Sequence, residues 1–233
     1  MRYNTKKLRE IQRIISRSID LKDRFENIKA IAGFDVAIHK DTLVCACIVV
    51  SYPDMRILEK KFLVKKQPMP YVPTFMAFRE GPLILELYHE LEYDPDLLMI
   101  DGHGIAHVFK CGLASYVGHE LSKPSIGIGK GMPQGSSIYE EDKVVVNNEI
   151  RGFLLKTKEH ARPLIVSPGH MITRESALEF AKNTVIPPHK LPEPVHLAHR
   201  YAEKKKKQLF VEKKEIEDND SEPEDLPAMR SFD

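Results

Sequence analysis

The spacing of apolar and polar positions changes period several times along the chain, and each change predicts an element. Leu8, Ile11, Ile15 and Ile19 recur at helical spacing among Lys, Arg and Glu, which predicts an amphipathic helix over residues 5–22 packed on a domain. Three strand-like runs follow at 31–38, 42–51 and 57–64, with turn signals at His39-Lys40-Asp41 and Pro53-Asp54; this is the spacing of antiparallel strands. Pro68-Met69-Pro70-Tyr71-Val72-Pro73 fits neither helix nor central strand, because each proline lacks a donor and fixes φ; it reads as a stiff loop presenting one tyrosine. Residues 74–79 and 82–91 read as helix, with a break at Gly81-Pro82 just after Glu80. Leu97-Leu98-Met99-Ile100 is an unbroken apolar run, the pattern of a strand buried on both faces, and it runs straight into Asp101-Gly102-His103-Gly104.

Beyond it, 108–121 is helix-like and 125–129 is a short strand ending in Gly-Ile-Gly-Lys130. Residues 143–147 and 151–157 predict a hairpin around Asn147-Asn148, and 163–166 a strand opening into Ser167-Pro168-Gly169-His170. Thr173 is placed to cap a helix over 174–183, and 194–203 predicts a last helix continuing into Lys204–Lys207. From about Glu212 the chain is acidic with little to bury. The expected organisation is one domain over 1–207 with a disordered acidic tail over 208–233. Antiparallel strands followed by alternating helices and strands make the fold class α/β with a mixed sheet.

Composition narrows the function. The formal net charge of the 233 residues is only +1, so no global basic field points to nucleic acid and any such surface must be local. Three cysteines give neither a disulfide framework nor paired metal-ligand spacing. No N-terminal apolar stretch reads as a secretory signal and no run reaches transmembrane length, so a soluble, cytoplasmic protein without a membrane partner is expected.

Three acids are candidates for one site: Asp35 inside a strand, Glu80 at the helix break, Asp101 at a strand end. Brought together without a cation they would repel and raise one another's pKa; hard divalent ions relieve this, Mg²⁺ being the usual one and Mn²⁺ a substitute. Two such ions roughly 3.5–4 Å apart would clamp the attacking and leaving oxygens of a phosphodiester displacement. Each acid alone could equally be a surface carboxylate or a helix cap. His103 and His107 have i, i+4 spacing, but the glycine between them argues against a helical zinc pair. Lys130 could reach a phosphate or be an ordinary exposed lysine, and Tyr71 could stack on a base or join the core.

The ordered blocks Pro70-Tyr71-Val72-Pro73, Phe78-Arg79-Glu80, Asp101-Gly102-His103-Gly104-Ile105-Ala106-His107, Gly112-Leu113-Ala114-Ser115, Pro124–Lys130, Arg151-Gly152, Val166–His170 and Leu191–Pro194 closely resemble the endonuclease V family over residues 30–202. The resemblance implies a ribonuclease H-like mixed sheet with flanking helices and Mg²⁺-dependent cleavage beside deoxyinosine in DNA or inosine in RNA. It implies a cut at the second phosphodiester bond 3′ to the lesion, leaving 3′-hydroxyl and 5′-phosphate ends, in DNA repair or inosine-RNA processing by a monomer. Motif by motif, Asp35, Glu80 and Asp101 look like the metal-binding acids and His199 like the helix residue supporting them. Tyr71 resembles the wedge replacing the everted base, and Lys130 the residue neutralising phosphate. Gly102, Gly104, His107, Leu113 and His170 are the further expected substrate contacts, the amides near Gly102 and Gly104 reading the 6-oxo group and Met76 or Leu113 excluding a 2-amino group. The chain departs from the family pattern at Val108-Phe109-Lys110 and at Ile128-Gly129-Lys130. Two alternatives stay open: another nuclease of the same architecture, cutting branched DNA or RNA–DNA hybrids, and a non-catalytic nucleic-acid-binding module.

Overall fold

A computed structural model describes residues 4–219 apart from 134, 140 and 141. In chain order the elements are α1 (Thr5–Ser18), β1 (Ala30–His39), β2 (Thr42–Ser51), β3 (Ile57–Lys66), α2 (Met76–His89), β4 (Leu97–Asp101), α3 (Leu113–Leu121), β5 (Ser125–Gly129), β6 (Ser136–Tyr139), β7 (Lys143–Val146), β8 (Glu149–Leu155), β9 (Leu164–His170), α4 (Arg174–Asn183) and α5 (Glu193–Asn219). The strands form one sheet in the order β3-β2-β1-β4-β5-β9-β8-β7-β6. β4 lies parallel to β1 and β5, and every other pair is antiparallel. This is the mixed sheet with flanking helices expected of a ribonuclease H-like protein.

Strand alternation builds two cores. Ala32, Phe34, Leu98 and Ile100 face α2 and α3, whereas Ile31, Leu97 and Met99 face α4 and α5. The apolar run Leu97–Ile100 of β4 is fully buried because helices cover both faces of the sheet there. Asn147 and Asn148 both take left-handed φ (51° and 60°), the two-residue hairpin turn that joins β7 to β8. Thr173 caps α4 by accepting from the Ser176 amide. No helix among the described residues is long and apolar enough to cross a membrane.

Four expected boundaries are corrected. The break at Gly81-Pro82 does not occur, and α2 runs through Pro82. A helix-interior proline costs about 3 kcal/mol, but Leu83, Ile84 and Leu87 on the same helix are buried, each worth roughly 1.5–3 kcal/mol. Helix does not begin at 108: the carbonyls of His107 and Val108 accept from the Arg151 guanidinium, and Asn147 adds a second donor to Val108, so 105–112 forms turns and α3 starts at Leu113. β9 continues through Pro168 to His170, with a register shift against β5 accommodating the proline. Finally, α5 passes Lys207 and continues to Asn219, where a tail was expected from 208. Leu209 packs on the Ala37–Val44–Ala46–Ala202 cluster and Phe210 stacks on His39 at 3.7 Å, so the apolar stripe outlasts the lysine run. The rest of the expected tail, 220–233, lies outside the described residues.

Candidate active site

Two parallel strands place the first two acids. Phe34 pairs with Ile100, so one residue further Asp35 and Asp101 stand side by side where β4 ends. They point to the face covered by α5, and that helix adds His199, whose Nδ1 lies 2.9 Å from Asp35 Oδ2. Close packing delivers it: at Gly33 an added Cβ would sit 2.0 Å from the Pro194 carbonyl oxygen, so α5 rests directly on β1 backbone. One donor atom each from Asp35, Asp101 and His199 lie within 4.8 Å of one another. From the end of β5, the Lys130 ammonium contacts Asp101 Oδ2.

Burial pushes Asp101 up to about 7, and the neighbouring Asp35 carboxylate adds to the shift against the pull of Lys130. For Asp35 burial acts in the same sense, but bonds from His199 and Asp101 with the Lys130 charge hold it below the usual carboxylate range. Below about pH 7 the two carboxyls therefore hold one proton between them, on the Asp101 side. The hydrogen bond to Asp35 raises His199. Two carboxylates, Asp35 buried and Asp101 half-buried, and an imidazole within 4.8 Å of one another are a donor set that fits a hard divalent cation, whose charge would relieve the carboxylate repulsion that Lys130 only partly offsets.

Glu80 arrives from the opposite layer, on α2, and is not in this cluster. Its Oε1 accepts from Arg79 Nη2 and Nε at 2.5 and 3.2 Å, both side chains being buried. Burial outweighs the guanidinium and raises the Glu80 pKa, with the Asp35 charge adding to the shift. Glu80 nonetheless lines the same cavity, of about 690 Å³, as Asp35 and Asp101.

That cavity also collects Tyr71, Gly102, His107, Leu113 and Lys130. Tyr71 is 61% exposed at its rim, with the Arg79 guanidinium 5.0 Å from the ring centroid. Its loop is anchored at Thr74, which has φ of 71°. Buried Gln12 donates to the Thr74 carbonyl (2.6 Å) and Arg9 to its hydroxyl (3.2 Å). Arg9 also covers the Phe109 ring at 3.7 Å, so the departure at 108–110 is matched from α1. Gly102 has φ of 148°, a backbone reserved for glycine, and Met76 and Leu113 pack against it at 3.1 and 3.3 Å from a Cβ position.

Several expected contacts fail. The Gly102 amide donates to the Ile128 carbonyl and the Gly104 amide to Ser167 Oγ, so neither is free to read a base. Gly104 is buried behind the cavity wall, a Cβ there meeting the Pro168 carbonyl oxygen at 2.0 Å. Gly112 and Gly127 close on the same turn, each with main-chain atoms of residues 102–104 within 2.6 Å of a Cβ position. His170 is paired with Ser125, at the end of β5 remote from Lys130, and its Nδ1 accepts from the Asp20 amide. A residue's place in a motif does not reveal which end of an antiparallel strand it occupies.

Arg79 and His103 also line the cavity; the sequence points to His103 only as half of a zinc pair with His107, and to Arg79 only through its place beside Glu80. Burial pushes both His103 and His107 down to about 4. Between pH 6.5 and 4 the unfolded chain binds protons that these folded imidazoles refuse, so each lowers stability on acidification. His107 Nδ1 accepts from the Phe109 amide, a role Asn Oδ1 can take. His107→Asn should therefore lose about 2 kcal/mol less stability than wild type between pH 7.5 and 5 in urea unfolding; equal losses would show His107 protonated in the native state.

Comparison with known proteins bears on the family and the fold. The family model described as Endonuclease V matches residues 13–200. The chain is 37% identical over 202 residues to an endonuclease V of Dictyoglomus thermophilum, covering 83% of this chain and 87% of that one. It is 34% identical over 214 residues to one from Archaeoglobus fulgidus, covering 90% and 96%. A Bacillus subtilis endonuclease V structure superposes with TM-score 0.83 at 27% identity, covering 91% and 95%. A Ciona intestinalis endonuclease V, solved with a 24mer DNA containing an inosine followed by a ribo-adenosine, superposes with TM-score 0.75 at 25% identity, covering 88% and 98%.

Proposed function

As a member of the endonuclease V family the chain is a nuclease, and we propose that it cuts strands beside deoxyinosine in DNA or inosine in RNA, at the second phosphodiester bond 3′ to the lesion. The observation that carries this reading is the Asp35–Asp101–His199 cluster opening into a cavity that also holds Tyr71, Met76, Gly102 and Leu113. The relative solved with inosine-containing DNA supports the same substrate class.

Asp35, Asp101 and His199 would hold the metal, Mg²⁺ or Mn²⁺, with Glu80 reaching the same cavity from below. The chemistry a divalent cation supplies there is neutralisation of charge on the phosphate and acidification of the attacking water. His199 keeps its Nδ1 proton toward Asp35, holding that carboxylate ionised and oriented. Lys130 carries the charge that meets the scissile phosphate. An everted hypoxanthine would lie against Gly102 between Met76 and Leu113, with Tyr71 in the gap it leaves; eversion costs a few kcal/mol, least in single strands and mispairs.

The test is one sequence, with inosine or adenosine at the same position, offered as single- and double-stranded RNA and DNA with and without Mg²⁺. Metal-dependent cutting confined to the inosine strands is expected, and equal cutting of adenosine controls or preference for branched DNA or hybrids overturns the reading. Tyr71→Ala should raise Kd for the inosine strand about 10-fold, in line with stacking of about 1–3 kcal/mol, while changing the single-turnover cutting rate less; unchanged affinity would remove Tyr71 from the wedge role.

A further inference from the structure

Behind Lys130 and His199 a second cavity of about 480 Å³ opens, and these two residues line both it and the catalytic cavity. Its remaining polar lining is Lys158, His189, Lys190 and His196. Two separate segments are tied together to make it: Thr157 Oγ1 donates to the Lys190 carbonyl at 2.8 Å, which brings the loop after β8 against the loop before α5. His189 is fixed by Glu193, Nδ1 to Oε2 2.7 Å, and stacks on His196 at 3.7 Å between centroids with the rings 19° apart. Glu193 is buried and engaged with His189, while Asp101 and Asp35 meet Lys130 and His199 from the side of the first cavity. The stack leaves His196 Nε2 with no hydrogen-bond partner among the described residues. No ion pair with a carboxylate is found for Lys158 or Lys190 among the described residues.

Three ammonium groups surround this cleft on a chain of net charge +1; Lys130 is paired with Asp101, so the positive field here comes from Lys158 and Lys190, and the imidazoles add hydrogen-bonding groups. We propose that this cleft seats the phosphates of the cut strand 3′ to the scissile bond. The inference rests on the function proposed above and adds the path of the strand. A strand entering past Tyr71, with its base between Met76 and Leu113, passes the acids and Lys130. It leaves on the far side of the shared wall, where Lys158 and Lys190 follow its backbone. Contacts of lysines to backbone phosphates carry no sequence information, so this binding is expected to be independent of sequence.

The experiment uses single-stranded inosine oligonucleotides with one, two, four or eight nucleotides beyond the cut, and compares wild type with Lys158→Glu/Lys190→Glu, checked for folding by thermal melting. Wild type should gain at least about 10-fold in kcat/KM as the 3′ arm grows, and the double variant should not, while the two match on the shortest substrate. Equal gains overturn the proposal. Binding of labelled oligothymidylate is measured in parallel: losing two phosphate contacts should make the salt dependence of log K shallower by about 1.4, at −0.7 per contact for single strands. An unchanged slope also overturns it. If wild type cuts no inosine strand, the function proposed above fails, and the oligothymidylate slope still decides whether the cleft binds a strand.

Discussion

Asp101→Asn should abolish cutting, by about three orders of magnitude or more, and at the same time raise the melting temperature of the metal-free protein. Both effects come from the register that sets Asp35 beside Asp101. The Asp101 carboxyl is raised to about 7 by burial and by Asp35, so its contribution to stability is full in acid and is lost as pH rises from the unfolded value near 3.8 through 7. At pH 8 the ionised group therefore destabilises the fold, on the order of 1–4 kcal/mol. Asparagine cannot ionise and can still donate to Asp35. The Tm at pH 8 should rise by several degrees, at roughly 2–4 °C per kcal/mol for a domain of this size. Mg²⁺ or Mn²⁺ should raise the wild-type Tm and leave that of the variant unmoved. An active variant would exclude Asp101 from the chemistry, and a lowered Tm would make it a structural partner of Lys130.

Gly33→Ala should be the most damaging small substitution in the sheet. Its Cβ would lie 2.0 Å from the Pro194 carbonyl oxygen and 2.8 Å from the Val195 nitrogen, backbone atoms with no rotamer to yield. Helix α5 must then lift off β1, which costs about 3 kcal/mol, the upper end of the general scale for overpacking. A Tm loss of roughly 6–12 °C follows. Because His199 is only five residues past Pro194, the lift also opens its 2.9 Å contact with Asp35, and a shift near 1 Å is worth about 100-fold in rate. Gly131→Ala is the control, since nothing lies within 4 Å of its Cβ position, and it should not lower the Tm. A Gly33→Ala protein with wild-type Tm and activity would show that α5 is not held by this approach.

The parts of the site legible in the sequence were those that strand ends dictate. Asp101 closes a run too apolar to contain a charge, and Asp35 interrupts another, so both had to emerge at a strand terminus or face a partner. Which layer an acid comes from has no such signature. Glu80 was expected at a helix break, and only tertiary burial of Leu83, Ile84 and Leu87 carries the helix through Pro82. The amides of Gly102 and Gly104 were expected free because a glycine pair permits close approach to a ligand; the approach is instead to the protein's own strands. β6 lacks an apolar face, and its pairing with β7 is the reason it is a strand. The length of α5 was hidden by a lysine run, of which Lys205 sets its ammonium over the Phe62 ring at 4.5 Å.

The turn after Asp101, where Gly104, Gly112 and Gly127 meet main chain with main chain, fixes what this corner can become. Its dimensions are those of covalent geometry, with no side chain to trim, swing or exchange, so it acts as a rigid gauge beside the slot proposed for the base. Any change of the accepted base toward a larger or smaller ring must then come from the adjustable jaws, Met76 and Leu113, and the floor between them stays as it is.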